Sequence, residues 1–329
     1  MIFFVAHDPG ARNHVLPLFE HAKAQGLAAR FIDLAAPQHI EPRDSFQGQS
    51  ARLLVTGWSV NQAEWPWVQA ARRHGIKSAA IIDVGIGQTM DNFAPAAGPD
   101  HYIVTSTRTR EELLAREVPA CRVSLTGNPY LEWLIQSKPA AMDTAWLQDT
   151  GGCNKNLPIV SVFLPDFGVP AGSLKCLANL LGQSELAECH LVIRPHPRDP
   201  HRNCAQAANS DQRLGSAVWD WECKESTPAL LAASVCSLTF GSTVSMESLA
   251  LGTPSAYFQI GWDYQELDQL YANHSSVPRL RCAREFFGFV SGANTKCESH
   301  SRILVENYLG ATAHAWKVLQ KLMPDGKPK

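Results

Sequence analysis

No CxxC pair, no basic run interleaved with aromatics and no apolar stretch of membrane-spanning length occurs in this 329-residue chain. Its nine cysteines are odd in number and irregularly spaced, which argues against a disulfide framework or zinc knuckle and for reduced thiols in a cytoplasm. Charged residues make up only 18% and the formal net charge is −2, so nucleic acid is not an expected partner. GxGxxG, GxSxG, HExxH and P-loop patterns are missing, as is a DxD acid pair at a convincing strand end. Their absence counts against dinucleotide cofactors, hydrolases, zinc proteases, P-loop NTPases and metal-dependent sugar transfer, so neither a cofactor nor a metal is expected. The amino end, MIFFVAHDPG, has six apolar residues and no basic leader. It reads as a buried first strand rather than a signal peptide or membrane anchor.

Hydrophobic residues make up 45%, enough for a sizeable core, and the length suits two domains of ordinary size. Short apolar runs alternate with amphipathic segments. Strands are expected over 2–6, 28–33, 52–56, 77–83, 101–105 and 121–125, with helices over 13–25, 61–74 and 107–116. Gly75 is placed as a C-terminal cap of the second helix. DTGGCNKNLP (149–158) reads as an inter-domain linker, so the boundary is set at 150/151. The pattern then restarts: strands over 159–164, 189–194, 235–240 and 255–258; helices over 171–182, 227–233, 242–251, 263–273 and 300–322. Such alternation predicts an α/β protein of two Rossmann-like domains with a cleft between them and ligands beyond the carboxyl ends of the strands.

LTFGSTVSMESLALGTPSAYF (238–258) is the most informative stretch. Gly241 permits a sharp turn, Ser242 or Thr243 can cap the helix that follows, and the first-turn N–H groups would favour a phosphate. Glu247 is too far from either cap for a capping box. It is either a solvated surface acid or a hydrogen-bond acceptor for ribose hydroxyls. A second loop, Arg194-Pro195-His196-Pro197-Arg198-Asp199, ends a buried run. Arg194 and His196 alternate along an extended chain and would point the same way, one to clamp phosphate and the other to donate to a leaving phosphate. The alternative is a stiff surface loop facing water. After the first strand, His7-Asp8-Pro9-Gly10 offers His7 or Asp8 as a general base, or simply a turn whose backbone Asp8 bonds. Asp83, at the head of Asp83-Val84-Gly85, is a rival base.

GSTVSMESLALGTPSAYF resembles the donor-nucleotide segment of GT-B glycosyltransferases and UDP-GlcNAc 2-epimerases. RPHP resembles the (R/K)-x-H-P motif of bacterial polysaccharide-building GT-B enzymes, including CDP-glycerol glycerophosphotransferases. Thr126-Gly127-Asn128-Pro129 is similar to a structural turn found before the linker in these proteins. The resemblance implies a GT-B-type fold, with residues 1–150 facing the acceptor, residues 151–329 holding the donor, and a final helix that packs back across the domains. Gly241, Ser242 and Thr243 would hold the diphosphate, Glu247 the ribose, and Arg194 and His196 the donor phosphate. A Gly10 turn would mark where acceptor and donor meet. The implied activity is metal-independent sugar transfer from a nucleotide-sugar to a carbohydrate or glycoconjugate acceptor, in bacterial surface polysaccharide or glycoconjugate biosynthesis. No transmembrane segment is expected, so membrane contact would be peripheral. Nucleotide-sugar 2-epimerisation is the alternative, and a non-catalytic nucleotide-sugar-binding subunit the second.

Overall fold

The computed structural model describes residues 1–36, 42, 46, 50–59, 61–83, 97–137, 157–165, 169–196, 212–220, 222, 226–262, 277–293 and 308–324. The chain divides into two compact units, Met1–Trp133 with Asn307–Lys329, and Leu134–Glu306. The division thus falls at 133/134, before the stretch read as a linker, of which only Leu157 and Pro158 are among the described residues.

The first unit runs β1 Ile2–Ala6, α1 Pro9–Ala24, β2 Ala29–Asp33, β3 Leu53–Thr56, α2 Trp65–Arg73, β4 Ser78–Ile82, β5 His101–Val104, α3 Thr107–Ala115 and β6 Val123–Leu125. Helix α4, Pro129–Ser137, carries the chain onward. The second unit contains β7 Ile159–Phe163, α5 Ala171–Gly182, β8 His190–Arg194, α6 Gln212–Gly215, β9 Val218–Trp219, α7 Thr227–Ala233, β10 Ser234–Thr239, α8 Val244–Ala250, β11 Ser255–Phe258, β12 Arg279–Leu280 and α9 Ala283–Ala293. Helix α10, Ala311–Leu322, belongs to the first unit again. The apolar α9 and the two-residue strands β9 and β12 escape the sequence reading, the strands because two residues show no period. The helix expected over 263–273, and residues 300–307 of the one expected over 300–322, lie outside the described residues.

Each unit holds a six-stranded sheet, in the orders β2-β1-β3-β4-β5-β6 and β12-β11-β10-β7-β8-β9. Every pairing is parallel. Parallel strands are covered on both faces, so β1, β4 and β7 are apolar runs buried throughout rather than alternating patterns. In the first unit α1 sets Ala11, Val15 and Leu18 against one sheet face beside Ala315, Trp316 and Leu319 of α10. On the other face α2 sets Trp67, Val68 and Ala71 against Phe3, Val5 and Leu54. The second unit packs Leu174, Leu177 and Leu181 of α5 and Phe286 and Val290 of α9 against β7, β8, β10 and β11.

Turn chemistry fixes several element ends. Gly75 follows α2 at φ +66°, the left-handed geometry expected of its cap. Asn128 Oδ1 accepts from the backbone N–H groups of Tyr130 and Leu131, both at 3.0 Å, and so starts α4. The buried Glu132 of α4 accepts from the backbone N–H of Gly310 and, at 2.7 Å, from that of Thr312. This carboxylate satisfies orphan donors at the start of α10, a helix begun without a side-chain cap of its own.

His101 makes the first unit sensitive to acid. Its Nε2 lies 2.9 Å from Ser124 Oγ. Burial, then the charges of Arg122 and Lys321, hold its imidazole below the usual histidine range. The unfolded chain therefore takes up this proton first, so stability present above about pH 6.5 is lost as the pH falls toward the folded value. Melting curves of wild type and His101→Gln between about pH 7 and 5 should converge on acidification. Parallel curves would count against this linkage.

Candidate functional site

In the first sheet the chain passes from β1 to β2 on one side and then crosses back to β3 on the other. The crevice at the carboxyl ends of β1 and β3 is thus a topological switch point, where open α/β sheets bind ligands. Residues His7 and Asp8 leave β1 there, and Gly57–Ser59 leave β3, with Glu64 following before α2. His7 Nδ1 lies 2.8 Å from Asp8 Oδ1. Asp8 occupies the N-cap position of α1, yet its side chain makes no capping bond. Its carboxylate is turned to the imidazole, which is not what a plain Asp-Pro-Gly turn requires.

Several further groups converge on this edge. The backbone N–H of His7 donates to Glu64 Oε1 at 2.9 Å, and that of Ser59 to Glu64 Oε2 at 3.1 Å. Ser59 Oγ donates to Glu64 Oε1 and accepts from the backbone N–H of Asp8 at 3.2 Å. Asp83, just beyond β4, stands 3.3 Å from Nε2 of the buried His14. Among the described residues His14 Nδ1 has no partner. Gly10 corrects an expectation: α1 begins at Pro9, so Gly10 lies in the first turn of the helix rather than in a turn between β1 and the helix. A Cβ there would stand 3.5 Å from Asp83 Oδ2, in ordinary contact.

The second sheet repeats the logic. From β7 the chain goes to β8 and β9 on one side, then crosses to β10 on the other, so its switch point lies between β7 and β10. The turn after β10 is Gly241-Ser242-Thr243, with Gly241 at φ +90°, a conformation L side chains rarely adopt. Ser242 Oγ accepts from the backbone N–H of Val244 at 3.3 Å, while Thr243 fills the N-cap position without a side-chain cap bond. Among the described residues the backbone N–H groups of Ser242 and Thr243 have no partner. Glu247 is only 9% exposed, which removes the solvated-acid alternative. Its helix sits on the sheet through hydroxyls: Ser237 Oγ bonds Ser248 Oγ at 2.8 Å and Thr239 Oγ1 bonds Ser245 Oγ at 2.6 Å, while Ser237 Oγ also bonds Ser255 Oγ of β11 at 2.7 Å.

Arg194 departs from the expectation of a side chain free to clamp phosphate. Its guanidinium is buried, donating through Nε to Asp220 Oδ2 at 2.9 Å, through a second nitrogen to the same oxygen, and to Thr227 Oγ1 at 3.3 Å. The pull comes from Asp220, a buried acid just past β9, the strand that pairs with β8. His196, two residues on, is half-buried, and residues 197–211 lie outside the described residues.

Sequence reasoning missed Glu64, Ser59, His14 and Asp220. Glu64 carried one usable signal, an acid just before Trp-Pro at a helix start, and it does take the N-cap position while its side chain caps nothing. The other three show only once strand order brings together the elements that carry them.

Two parallel doubly wound sheets, each with a polar loop cluster at its switch point, define a class of α/β proteins that bind ligands at strand ends. The particular fold is that shared by UDP-GlcNAc 2-epimerases and GT-B glycosyltransferases. UDP-GlcNAc 2-epimerase from Neisseria meningitidis, solved with UDP-GlcNAc, matches at TM-score 0.64 and 11% identity over 98% of both chains. A glycosyltransferase from Rickettsia africae matches at TM-score 0.64 and 10% identity over 99% of both chains. The wall teichoic acid polymerase TagF, solved with CDPG, matches at TM-score 0.56 and 12% identity over 97% of this chain and 88% of its own. No protein-family model and no curated protein matches the sequence. Among the described residues no helix is long and apolar enough to cross a membrane.

Proposed function

We propose that the protein is a metal-independent glycosyltransferase that moves a sugar from a nucleotide-sugar donor to a carbohydrate or glycoconjugate acceptor. The observation that carries this reading is the His7–Asp8 pair at the first switch point. A carboxylate that accepts from Nδ1–H leaves Nε2 as the base for an acceptor hydroxyl, an effect worth about 10²–10⁴ in rate. In the second unit the Ser242 and Thr243 N–H groups would take the donor diphosphate, Glu247 the ribose, and His196 the leaving phosphate. Arg194 is assigned here to hold the β8 loop rather than to touch substrate. The activity suits bacterial surface polysaccharide or glycoconjugate assembly in a cytoplasm. It calls on no cofactor.

A second reading, nucleotide-sugar 2-epimerisation, is favoured by a different observation, the Asp83–His14 pair. Epimerisation removes a proton from one face of the carbon and returns one to the other, so it calls for two acid–base groups, which this pair and His7–Asp8 would supply.

Thermal-shift and calorimetric titration with UDP-, GDP-, CDP- and TDP-sugars tests the reading. One nucleotide class should stabilise wild type, by about 2.7 kcal/mol at a hundredfold excess over Kd. The shift should persist in His7→Ala and vanish in Glu247→Ala. Indifference to all four classes would sink the assignment. Product analysis with the matched donor, with and without acceptor, then separates transfer from epimerisation.

A further inference from the structure

We propose that Glu64, acting with Ser59, is the positioning residue that holds His7 in its Nδ1–H form against Asp8; this rests on the base role given to His7 above. Glu64 belongs to the β3–α2 loop, whereas the pair it governs belongs to the β1–α1 loop on the neighbouring strand. It is buried, 3% exposed, where an unpaired carboxylate would be strongly disfavoured. Its partners are the backbone N–H of His7, the backbone N–H of Ser59 and the Ser59 hydroxyl. Ser59 in turn accepts from the backbone N–H of Asp8. Two successive peptide N–H groups, those of His7 and Asp8, are therefore tied to one carboxylate and its serine.

The tie matters because two groups compete for His7 Nδ1. Asp8 Oδ1, at 2.8 Å, requires a proton on that nitrogen. Asn61 Nδ2, at 3.5 Å, would require a lone pair there. The Asn61 amide cannot turn to resolve the conflict without loss, because its Oδ1 accepts from the backbone N–H of Ala63 at 3.1 Å. The shorter contact wins as long as the His7–Asp8 backbone is held. If that backbone loosens, Asp8 retreats and the other tautomer becomes competitive, with its proton on the nitrogen meant to act as base. Glu64 thus sets which nitrogen is basic without touching substrate.

Long-range nitrogen–proton correlation spectra of the full chain with labelled histidine read the tautomer directly, with His7 assigned through His7→Gln. Wild type should show His7 in the Nδ1–H form. Glu64→Gln places an amide NH₂ against one of the donors that the carboxylate received, and Ser59→Ala removes the link to Asp8. Both variants should show a tautomer mixture. With a donor found, kcat should fall by about ten- to a hundredfold at unchanged donor KM. An Nε2–H form in wild type, or a folded variant that keeps the pure Nδ1–H form, overturns the proposal. Should Glu64→Gln fail to fold, Ser59→Ala decides alone. A tautomer shift in a protein that turns over no nucleotide-sugar upholds the positioning role and defeats the transferase reading.

Discussion

Replacing Arg194 with alanine is expected to destabilise the second unit by about 3–5 kcal/mol, the usual cost of stranding one partner of a buried ion pair. The Asp220 side chain is 1% exposed and the Arg194 side chain 5%, so water cannot take the place of the lost guanidinium. Three guanidinium contacts disappear together, two to Asp220 and one to Thr227. They tie the end of β8 to the chain just past β9 and to the start of α7. A loss of this size lowers the melting temperature on the order of 10 °C for a unit of this length. The two units need not melt together, so amide hydrogen exchange is the sharper measure. Protection should drop in β7–β10 of Arg194→Ala and stay constant in β1–β5. Removing both partners, as Arg194→Met with Asp220→Leu, should recover most of the loss, because no buried charge is left unpaired. Unchanged exchange in the single variant would contradict the assignment. It also follows that weak nucleotide binding by Arg194→Ala says nothing about phosphate contact unless folding is checked first.

The second large effect is expected at Gly57. A Cβ built there would lie 2.6 Å from Ala11 Cβ and 2.9 Å from Ala11 O, inside any distance that atoms tolerate. Neither side can yield easily. The backbone N–H of Gly57 donates to Val5 O at 2.9 Å, and Ala11 is buried in the first turns of α1 against the sheet. Gly57→Ala should therefore cost about 1–3 kcal/mol through overpacking. It should also push α1, with Asp8 at its cap position, away from β3. Gly172→Ala makes the control: an added Cβ meets nothing within 4 Å, and a change within about 0.5 kcal/mol is expected. Equal melting temperatures for the two variants would show that the contact relaxes freely.

Two glycines, Gly241 and Gly57, show what a sequence can reveal about this molecule. Gly241 was legible because its role is local: a glycine between a buried strand and a helix marks a turn, and its φ is +90°. Gly57 was not, because its requirement comes from a helix forty-six positions earlier in the chain, at Ala11. The same division runs through the site. His7, Asp8 and the Gly241-Ser242-Thr243 turn were found as strand-end residues. Glu64 and Asp220 were not, since their partners lie 57 and 26 positions away. For Arg194, strand alternation set the expectation of a side chain available to phosphate; the buried acid beside β9 holds its guanidinium instead.

The sequence by itself determined that this is an α/β protein of two successive halves, where most strands and helices run, and which loops close its strands. Apolar periodicity and turn chemistry act over a few residues, so they survive without the fold. Only the tertiary structure decided which strands adjoin, and hence where the two switch points fall, that Arg194 is spent on Asp220, and that Glu64 grips the His7–Asp8 loop. Those outcomes depend on parallel strands meeting partners far along the chain, and a buried polar group takes whichever donor or acceptor that arrangement brings within reach.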